Sequence, residues 1–314
     1  MMEPLRPMST GQLLDGTVAL YRHHFLLFVG IATPGPAASV VFQLLTLGSA
    51  VLPAPGAHRV VAAGASLFLS MFVGYLILLA GTALAHAATV KAVAAVHLGR
   101  ETSIASAYRA LWGRIWRVMR IFFAVVLMAG FAAFVVAFVV AIVAVLVVVV
   151  ASVGAPRTGP TAAIAAGITA FSVVGAALTA FGVVYVRYAL AVQACVVEDL
   201  PVLPSLKRSV FLSKGSRWRV VAIYSIFVIL SVIVSFGLTR LAREVGVLFH
   251  SRIAALVLVY ATTFVAGSLT GPLATIGLSL LYYDERVRKE AFDLQLMMAD
   301  LDASVPPTVV PVQI

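Results

Sequence analysis

The sequence predicts an all-α protein, a polytopic integral membrane bundle of six transmembrane helices joined by short interfacial amphipathic helices. Of its 314 residues, 62% are hydrophobic and only 11% are charged, whereas soluble domains are about one-quarter charged. Six apolar stretches also exceed the roughly 20 residues that a helix needs to cross a bilayer core. We therefore expect one membrane domain over residues 1–300 and a disordered, proline-bearing tail over 301–314.

The predicted spans are defined by apolar runs that contain almost no charge. They cover approximately residues 25–52, 60–90, 121–155, 161–186, 220–239 and 253–283. All 12 acidic residues lie outside the central parts of these spans, as expected because a charge in hydrocarbon costs several kcal/mol. The first 24 residues lack the pattern of a signal peptide, so we expect the first span to stay in the mature protein.

The basic residues predict the orientation of the chain. The N-terminus, the loops near 91–120 and 187–219 and the C-terminal tail hold 17 of the 22 Lys and Arg residues. Because basic residues accumulate on the cytoplasmic side, both termini are expected in the cytoplasm.

The bias towards alanine, valine and arginine, with four lysines against 18 arginines, is consistent with a high-GC bacterial genome. The expected location is therefore a bacterial inner membrane.

Three stretches spaced by about 100 residues suggest an internal repeat. They are "STGQLLDGTVALYRHHFLLF" from Ser9, "SIASAYRALWGRIWRVMRIF" from Ser103 and "PSLKRSVFLSKGSRWRVVAIY" from Pro204. Each contains an amphipathic segment, a basic cluster and the start of a span, and two spans follow before the next copy. This pattern predicts a bundle with pseudo-threefold character.

Each amphipathic segment has the features of a short helix at the membrane surface. In the second copy, Ile104, Ala107, Tyr108, Leu111 and Trp112 follow helical spacing, Thr102 or Ser103 can cap the start, and Gly113 can end the helix. The third copy shows Leu203, Leu206 and Val210 along one face, begins with Pro204 and ends near Gly215. The first has capping-box spacing between Ser9 and Gln12.

Basic residues beside these segments are candidate contacts for anionic lipid headgroups, and Trp112, Trp116 and Trp218 fit an interfacial belt. A basic cluster could also indicate nucleic acid, but here it recurs at each crossing from the cytoplasmic side, so membrane lipids are the expected partner and nucleic acid is not. The candidates are Arg109, Arg114, Arg117, Lys207, Arg208, Lys214, Arg217 and Arg219.

Two spans contain helix breakers. "ATPGPAA" places Pro34 and Pro36 in span 1, and "LTGPLAT" places Gly271 and Pro272 in span 6. Interrupted helices can expose backbone groups to a substrate in transporters, but proline is also tolerated as a structural kink because neighbouring helices satisfy the freed carbonyls. These four residues are therefore candidates either for packed kinks or for a solute pathway.

His86 and Arg187 lie near the inner ends of their spans. They can reach headgroups or line a shared polar vestibule. Cys195 is the single cysteine, which excludes an intramolecular disulfide, and a small packing role is expected.

Catalytic motifs are missing from the sequence: it has no GxSxG elbow, phosphate-binding loop or HExxH pattern, and no cofactor or metal site is expected. Asp284 and Glu285 could form an acid–base site. The stretch from Tyr282 onward, with Phe292, Leu296 and Ala299 on one side, is better interpreted as a stop-transfer and docking helix.

Three stretches resemble a known family: "LRPMSTGQLLDGTVALYRHHF", "VVEDLPVLPSLKRSVFLSKGSRWRV" and "LLYYDERVRKEAFDLQLM". Together they are similar to bacterial six-span proteins related to the membrane domain of glycerophosphoryl diester phosphodiesterases. In the fused family members a separate soluble barrel is catalytic, and nothing here matches its catalytic residues. The resemblance therefore implies the membrane module alone.

The expected function is that of a nonenzymatic lipid-interacting or scaffold module. The alternative is a small-solute transporter or channel that uses the kinked spans 1 and 6.

Overall fold

The computed structural model describes residues 8–51, 59–97, 99–151, 160–248 and 251–290. These residues form eleven α-helices and one 3-10 turn, Trp112–Arg114, and no strand occurs among them. The helices are α1 (Thr10–His23), α2 (Phe25–Ala32), α3 (Pro34–Val51), α4 (Arg59–His97), α5 (Ile104–Arg109), α6 (Ile115–Ala151), α7 (Pro160–Tyr188), α8 (Ala191–Glu198), α9 (Val202–Ser213), α10 (Arg217–Leu248) and α11 (Arg252–Glu290).

Six segments of the described chain are long and apolar enough to cross a membrane. They are Phe25–Ser49, Ala62–His97, Ile104–Val149, Ile164–Glu198, Arg217–Leu248 and Ile253–Glu290. The predicted fold class, a six-span helical membrane protein, is thereby confirmed. The tail over 301–314 and the residues Phe292, Leu296 and Ala299 lie outside the described residues.

Several helices continue past the apolar limits suggested by the sequence. Helix α4 runs beyond residue 90 to His97, and α11 runs beyond residue 283 to Glu290. Charged residues such as Lys91 and Glu285 interrupt an apolar run, yet Lys, Arg and Glu are good helix formers. Apolar composition thus marks the part of a helix that can enter a membrane, and not the end of the helix.

Consecutive spans pack as three helical hairpins: α3 with α4, α6 with α7, and α10 with α11. Small residues let the paired backbones approach closely. A Cβ placed on Gly81 would lie 2.5 Å from the carbonyl oxygen of Pro34, and one on Gly246 would lie 2.8 Å from the Cβ of Ala255. A short helix precedes each hairpin, whereas the threefold internal repeat itself stays a prediction.

The buried core lies at one end of the bundle, which we call the compact end. Helices α1, α5, α8 and α9 meet the adjoining parts of the spans there. The core contains Leu13 of α1, residues 87–93 of α4, 189–196 around α8 and 276–283 of α11. All four short helices therefore pack into the protein as well as marking the ends of spans.

The opposite end, which we call the apolar end, exposes large hydrophobic side chains. Phe72, Phe134 and Phe171 are 55%, 66% and 82% exposed. In the most apolar windows of spans 3 and 4 no residue is buried inside the protein. Lipid tails can cover these side chains at no hydrophobic cost, because they are as apolar as the side chains themselves.

The helix ends agree only in part with the sequence. The capping box of α1 is confirmed, with Ser9 N–H donating to Gln12 Oε1 at 2.7 Å, and Ser103 caps α5. Helix α5 ends at Arg109, before the predicted Gly113, and α9 begins at Val202, two positions before Pro204. Gly215 follows α9 with a φ of +88°, a left-handed conformation that favours glycine.

The predicted apolar face of α9 holds only in part, because Leu206 and Val210 are half-buried and Leu206 packs against the core. Leu203 is 70% exposed, while Ser205, Ser209 and Ser213 are buried together with Leu212. The serines face inward because small hydroxyl side chains both permit close approach and bond to free backbone groups. The predicted face of α5 is also divided, since Ala107 and Leu111 are buried but Ile104 and Trp112 are exposed.

The serines of α9 supply hydrogen bonds to backbone groups at the break between α7 and α8. The Leu190 N–H donates to Ser209 Oγ at 3.1 Å, and the hydroxyls of Ser209 and Ser213 donate to the Arg187 carbonyl at 3.2 and 3.3 Å. These backbone groups lose their helical partners where α7 ends, so α9 supplies replacements. Hydrogen bonding therefore decides which face of α9 is buried.

Candidate lipid-contact surface and central cavity

Among the described residues, four of the eight basic candidates for headgroup contact form ion pairs with carboxylates and the other four do not. Arg208 and Arg219 are held by carboxylates in the compact end, and Arg114 and Arg117 both pair with the half-exposed Asp199, at 2.9 and 2.6 Å. The remaining candidates are exposed and pair with no described carboxylate. They are Arg109, Lys207, Lys214 and Arg217.

Arg219 is the centre of an ion-pair cluster that joins three distant parts of the chain. Its Nη1 lies 2.7 Å from Asp284 Oδ2 and 2.8 Å from Glu285 Oε1, and its Nη2 donates to the Met8 carbonyl at 2.8 Å. Met8 N–H donates to Asp284 Oδ1 at 2.6 Å. Arg288 donates to both Asp284 and the Met8 carbonyl. We call these residues the Arg219 cluster.

Burial makes this cluster energetically important. The Asp284 side chain is 0% exposed and that of Glu285 is 3% exposed. A buried carboxylate is tolerated only when it is paired and hydrogen-bonded. These contacts favour a docking helix over an acid–base site for the stretch from Tyr282 onward. Both carboxylates are engaged in holding α11 to α10 and to Met8, which precedes α1.

Arg208 forms a second cluster on the other side of α9. Its guanidinium binds Glu290 through two parallel hydrogen bonds and donates to Glu198 Oε1 at 3.0 Å, and the Tyr282 hydroxyl also donates to Glu198. Burial lowers the pKa of Arg208, but the hydrogen bonds that Arg208 donates to Glu290 and Glu198 outweigh burial and raise the pKa above its usual value. Arg208 is thus a permanent cation that ties α9 to α8 and α11.

Lys289 fastens the end of α9 to α11. Its Nζ donates to the carbonyls of Phe211 and Leu212 and, at 2.8 Å, to that of Lys214, and lies 3.2 Å from Glu285 Oε2. The last carbonyls of a helix lack partners and carry partial negative charge, so a lysine there satisfies both needs.

The three tryptophans remain exposed although they belong to the compact end. Trp112, Trp116 and Trp218 are 80%, 77% and 78% exposed. Trp218 adjoins the exposed Arg217, and Trp112 and Trp116 begin span 3 beside α5. Exposed indoles beside cations that have no carboxylate partner among the described residues are typical of a membrane–water interface.

A central cavity of about 350 Å³ lies where the six spans meet, and each span contributes to its lining. It contains Pro36 of span 1 and Gly271 and Pro272 of span 6, so the structure brings three of the four breaker residues to one place. His86 lines the same cavity, and its Nδ1 lies 3.1 Å from Thr275 Oγ1. Arg187 does not line it and is exposed, with its guanidinium 5.9 Å from the Tyr188 ring.

The two breaker motifs differ in geometry. Span 1 is interrupted at Thr33, so that Pro34 and Pro36 lie in the first turn of α3, where a missing N–H removes no helical bond within α3. Helix α11 instead continues through Pro272. The Gly30 carbonyl, which faces the missing N–H of Pro34, accepts from the Thr33 hydroxyl at 2.9 Å.

Two tyrosines from the short helices bond to carbonyls beside the breakers. Tyr21 of α1 donates to the Leu269 carbonyl at 2.7 Å, within one turn of Pro272. Tyr108 of α5 donates to the Ile31 carbonyl at 2.5 Å, just before the break in span 1. Burial raises the pKa of Tyr21, so the phenol keeps its proton for this bond.

The sequence does not indicate that Tyr21 and Tyr108 are partners of the breakers, or that Tyr185, Tyr224 and Thr275 line the cavity. A tyrosine near a basic cluster looks like an interfacial residue, and its partner lies far away in the chain. A polar residue within about two helical turns of the compact end of a predicted span is the signal that could have identified the lining residues.

A second cavity, of about 420 Å³, lies at the compact end between α4, α5, α8 and α11, with Lys91, Arg100, Glu101 and Tyr283 among its lining residues. Lys91 Nζ is already 3.3 Å from the Val196 carbonyl. Cys195 is buried with 2% exposure, in agreement with its expected packing role. Within the described ranges no three His, Cys, Asp or Glu residues come together as a metal site.

Comparison with protein-family models, curated proteins and solved structures finds no match to this chain. The functional argument therefore depends on the geometry of the surface and the cavity.

Proposed function

We propose that the protein is a nonenzymatic, lipid-interacting module of a bacterial inner membrane, with its compact end and both termini in the cytoplasm. The observation that carries the proposal is the set of exposed tryptophans and of cations without a described carboxylate partner at the compact end, next to hairpins whose exposed side chains beyond it are mainly apolar. The resemblance to phosphodiesterase membrane domains and the uneven distribution of basic residues support the same assignment.

Under this proposal, the basic residues without internal carboxylate partners are the ones that attract lipid. Arg208 and Arg219 serve the internal clusters, so their headgroup role becomes secondary to a structural one. Arg109, Lys207, Lys214 and Arg217 are left to attract anionic lipid, each by about 1 kcal/mol near a negatively charged leaflet.

The test measures lipid retention on the full chain by native mass spectrometry in mixtures of phosphatidylglycerol and phosphatidylethanolamine. Lys207→Gln combined with Arg217→Gln should weaken phosphatidylglycerol retention several-fold. The matched control removes two exposed cations at the apolar end, Arg240→Gln with Arg243→Gln. Equal loss in both double variants, or no preference for phosphatidylglycerol in the unmodified chain, would reject the proposal.

Orientation has its own test. Reporter fusions after residues 56 and 157 should report the periplasmic side, and a fusion after residue 300 should report the cytoplasm. A periplasmic C-terminus would contradict the proposed topology.

A solute pathway is the second candidate function, because Pro36, Gly271 and Pro272 share the central cavity. A single cysteine at the cavity-lining Ala274, in a Cys195→Ser background, tests for an aqueous route to that cavity; the exposed Ala37 provides the matched control. A lipid module predicts no labelling of Ala274→Cys by a membrane-impermeant thiol reagent. Labelling that disappears when Pro36 and Pro272 become alanine would favour the pathway.

A further inference from the structure

The central cavity lies at the boundary between the two ends of the bundle. On α4 its lining runs from Leu78 to Thr89, which is where the exposed part of that helix gives way to the buried stretch 87–93. On α11 it runs from Gly267 to Leu278 and meets the core in the same way. A ligand in this cavity can therefore place one end against packed side chains and the other between hairpins.

Among the described residues, no Asp, Glu, Lys or Arg lines the cavity. Its hydroxyls are largely committed to their own helices, since Thr82 and Thr89 donate to the carbonyls of Leu78 and Ala85 at 2.8 Å each. His86 differs from them: its Nδ1 bonds to Thr275, while its Nε2 has no hydrogen-bond partner among the described residues. The cavity thus offers this imidazole nitrogen to an incoming polar atom, beside the phenol hydroxyls of Tyr185 and Tyr224, which also line it.

The two walls of the cavity differ in character. One wall carries aromatic rings: Tyr185 and Tyr224 have ring centroids 5.2 Å apart, and Phe122 lies 6.3 Å from His86. The lining residues from spans 1 and 6 are mainly glycine, proline and alanine, together with Ser39, Thr275 and Leu278. Aromatic faces opposite a smooth wall form a slot that accepts flat, apolar groups.

This lining disfavours both a charged ligand and a purely aliphatic ligand. A charged ligand would be desolvated without any opposite charge in the lining, which is costly within a membrane. A purely aliphatic ligand would cover His86 and leave its Nε2 without a partner. An uncharged ligand with an oxygen atom near a flat ring meets both requirements.

We propose that the central cavity binds an uncharged, membrane-soluble ligand with a flat, oxygen-bearing head and an apolar tail, the chemistry of a prenylated quinone or phenol. The head lies against the aromatic wall with an oxygen bonded to His86 Nε2, and the tail leaves between the hairpins towards the apolar end. This site goes beyond the proposed headgroup contacts and does not depend on them, since it shares no residue with the exposed basic set.

The test titrates three probes with the same ten-carbon tail into the full chain in nanodiscs and counts bound molecules by native mass spectrometry. Decylubiquinone carries the flat oxygenated ring, decanol only a hydroxyl, and decyl phosphate a charge. We expect one saturable decylubiquinone per chain, at least tenfold weaker binding of decanol, and no saturable site for decyl phosphate in the cavity.

Gly271 provides a variant that fills the cavity. A Cβ at Gly271 meets nothing within 4 Å, so Gly271→Leu adds bulk to the cavity without a clash at its Cβ. The matched control is Gly237→Leu, another exposed glycine in a span whose Cβ would meet nothing within 4 Å. Gly271→Leu should weaken decylubiquinone binding at least tenfold, and Gly237→Leu should leave it unchanged.

His86→Phe gives an independent variant that keeps a ring but removes the nitrogen, and it should weaken binding by about tenfold through the lost hydrogen bond. Four outcomes would overturn the proposal: no saturable decylubiquinone, equal effects of the two glycine variants, decanol bound as tightly as decylubiquinone, or decyl phosphate bound at a site that Gly271→Leu abolishes. Loss of phosphatidylglycerol preference alone would concern the proposed function and leave this site intact.

Discussion

At the compact end, charged side chains and hydroxyls join short helices to the ends of spans, whereas at the apolar end the hairpins expose phenylalanine and valine and bury little. The Arg219 and Arg208 clusters connect residues more than 60 positions apart. Helices α6 and α7, by contrast, have no buried residue in their most apolar windows. The described contacts therefore specify the fold mainly at the compact end, and the apolar side chains at the other end are left for an apolar environment to cover.

The same contrast explains why buried charge is concentrated at the compact end. A carboxylate such as Asp284 can be buried there because three donors surround it, from Met8, Arg219 and Arg288. At the apolar end no such network exists among the described residues. The fold of the compact end is thus specified by polar pairing. Removal of one member of a cluster leaves its partners buried without that contact.

The largest expected effect comes from breaking the Arg219 cluster. Arg219→Met leaves Asp284 and Glu285 buried without their central cation, and removal of one partner from a buried ion pair costs about 3–5 kcal/mol. The free energy of unfolding in mixed micelles, measured by circular dichroism during titration with sodium dodecyl sulfate, should fall by that amount.

The control for this variant lies two positions away. Arg217→Met removes the same charge from an exposed side chain, and surface substitutions of this kind stay within about 0.5 kcal/mol. Adding Asp284→Asn and Glu285→Gln to Arg219→Met should recover part of the loss, because the unpaired charges are removed. Equal destabilisation by the two arginine variants would refute the view that the compact end depends on this cluster.

Two glycines of α4 allow close and loose packing to be compared within a single helix. A Cβ on Gly81 would lie 2.5 Å from both the Pro34 carbonyl oxygen and the Ala38 Cβ, whereas one on Gly64 meets nothing within 4 Å. Gly81→Ala should therefore destabilise the first hairpin by about 1–3 kcal/mol through overpacking. Gly64→Ala should stabilise by up to about 1 kcal/mol, because alanine is the better helix former.

Unfolding of both alanine variants in mixed micelles gives the measurement. If Gly64→Ala destabilised as much as Gly81→Ala, close packing would extend over the whole hairpin and the distinction between the two ends would fail.

The sequence was sufficient for the fold class because membrane insertion depends on apolar length, which can be counted. It predicted the short helices as well, since capping residues such as Ser9 and Ser103 act within one turn. It failed on the buried face of α9, where the serines bond to Leu190 and Arg187 in another helix. Local periodicity contains no information about a backbone gap elsewhere.

The candidate site, too, was predictable only where its signals are local in the sequence. The breakers Pro34, Pro36, Gly271 and Pro272 were recognisable as local signals, and the structure places three of them on one cavity. Arg208 and Arg219, chosen for their position beside amphipathic segments, have buried carboxylate partners supplied by α11. Charge and spacing identify a basic residue near a membrane, but only the tertiary contacts determine whether lipid or protein binds it.

The smallest expected effect concerns Tyr21 and Tyr108, whose hydroxyls bond to carbonyls beside the breakers. Tyr21→Phe and Tyr108→Phe each remove one such bond and should cost about 1 kcal/mol of unfolding free energy. The exposed Tyr75 serves as control, and Tyr75→Phe should cost nothing measurable. If Tyr21 compensates for the helix disturbed by Pro272, combining Tyr21→Phe with Pro272→Ala should cost less than the sum of the two changes, because a regular helix keeps the Leu269 carbonyl bonded within α11 and less dependent on the tyrosine. Strict additivity in this double-mutant cycle would show that Tyr21 anchors α1 without any relation to the proline.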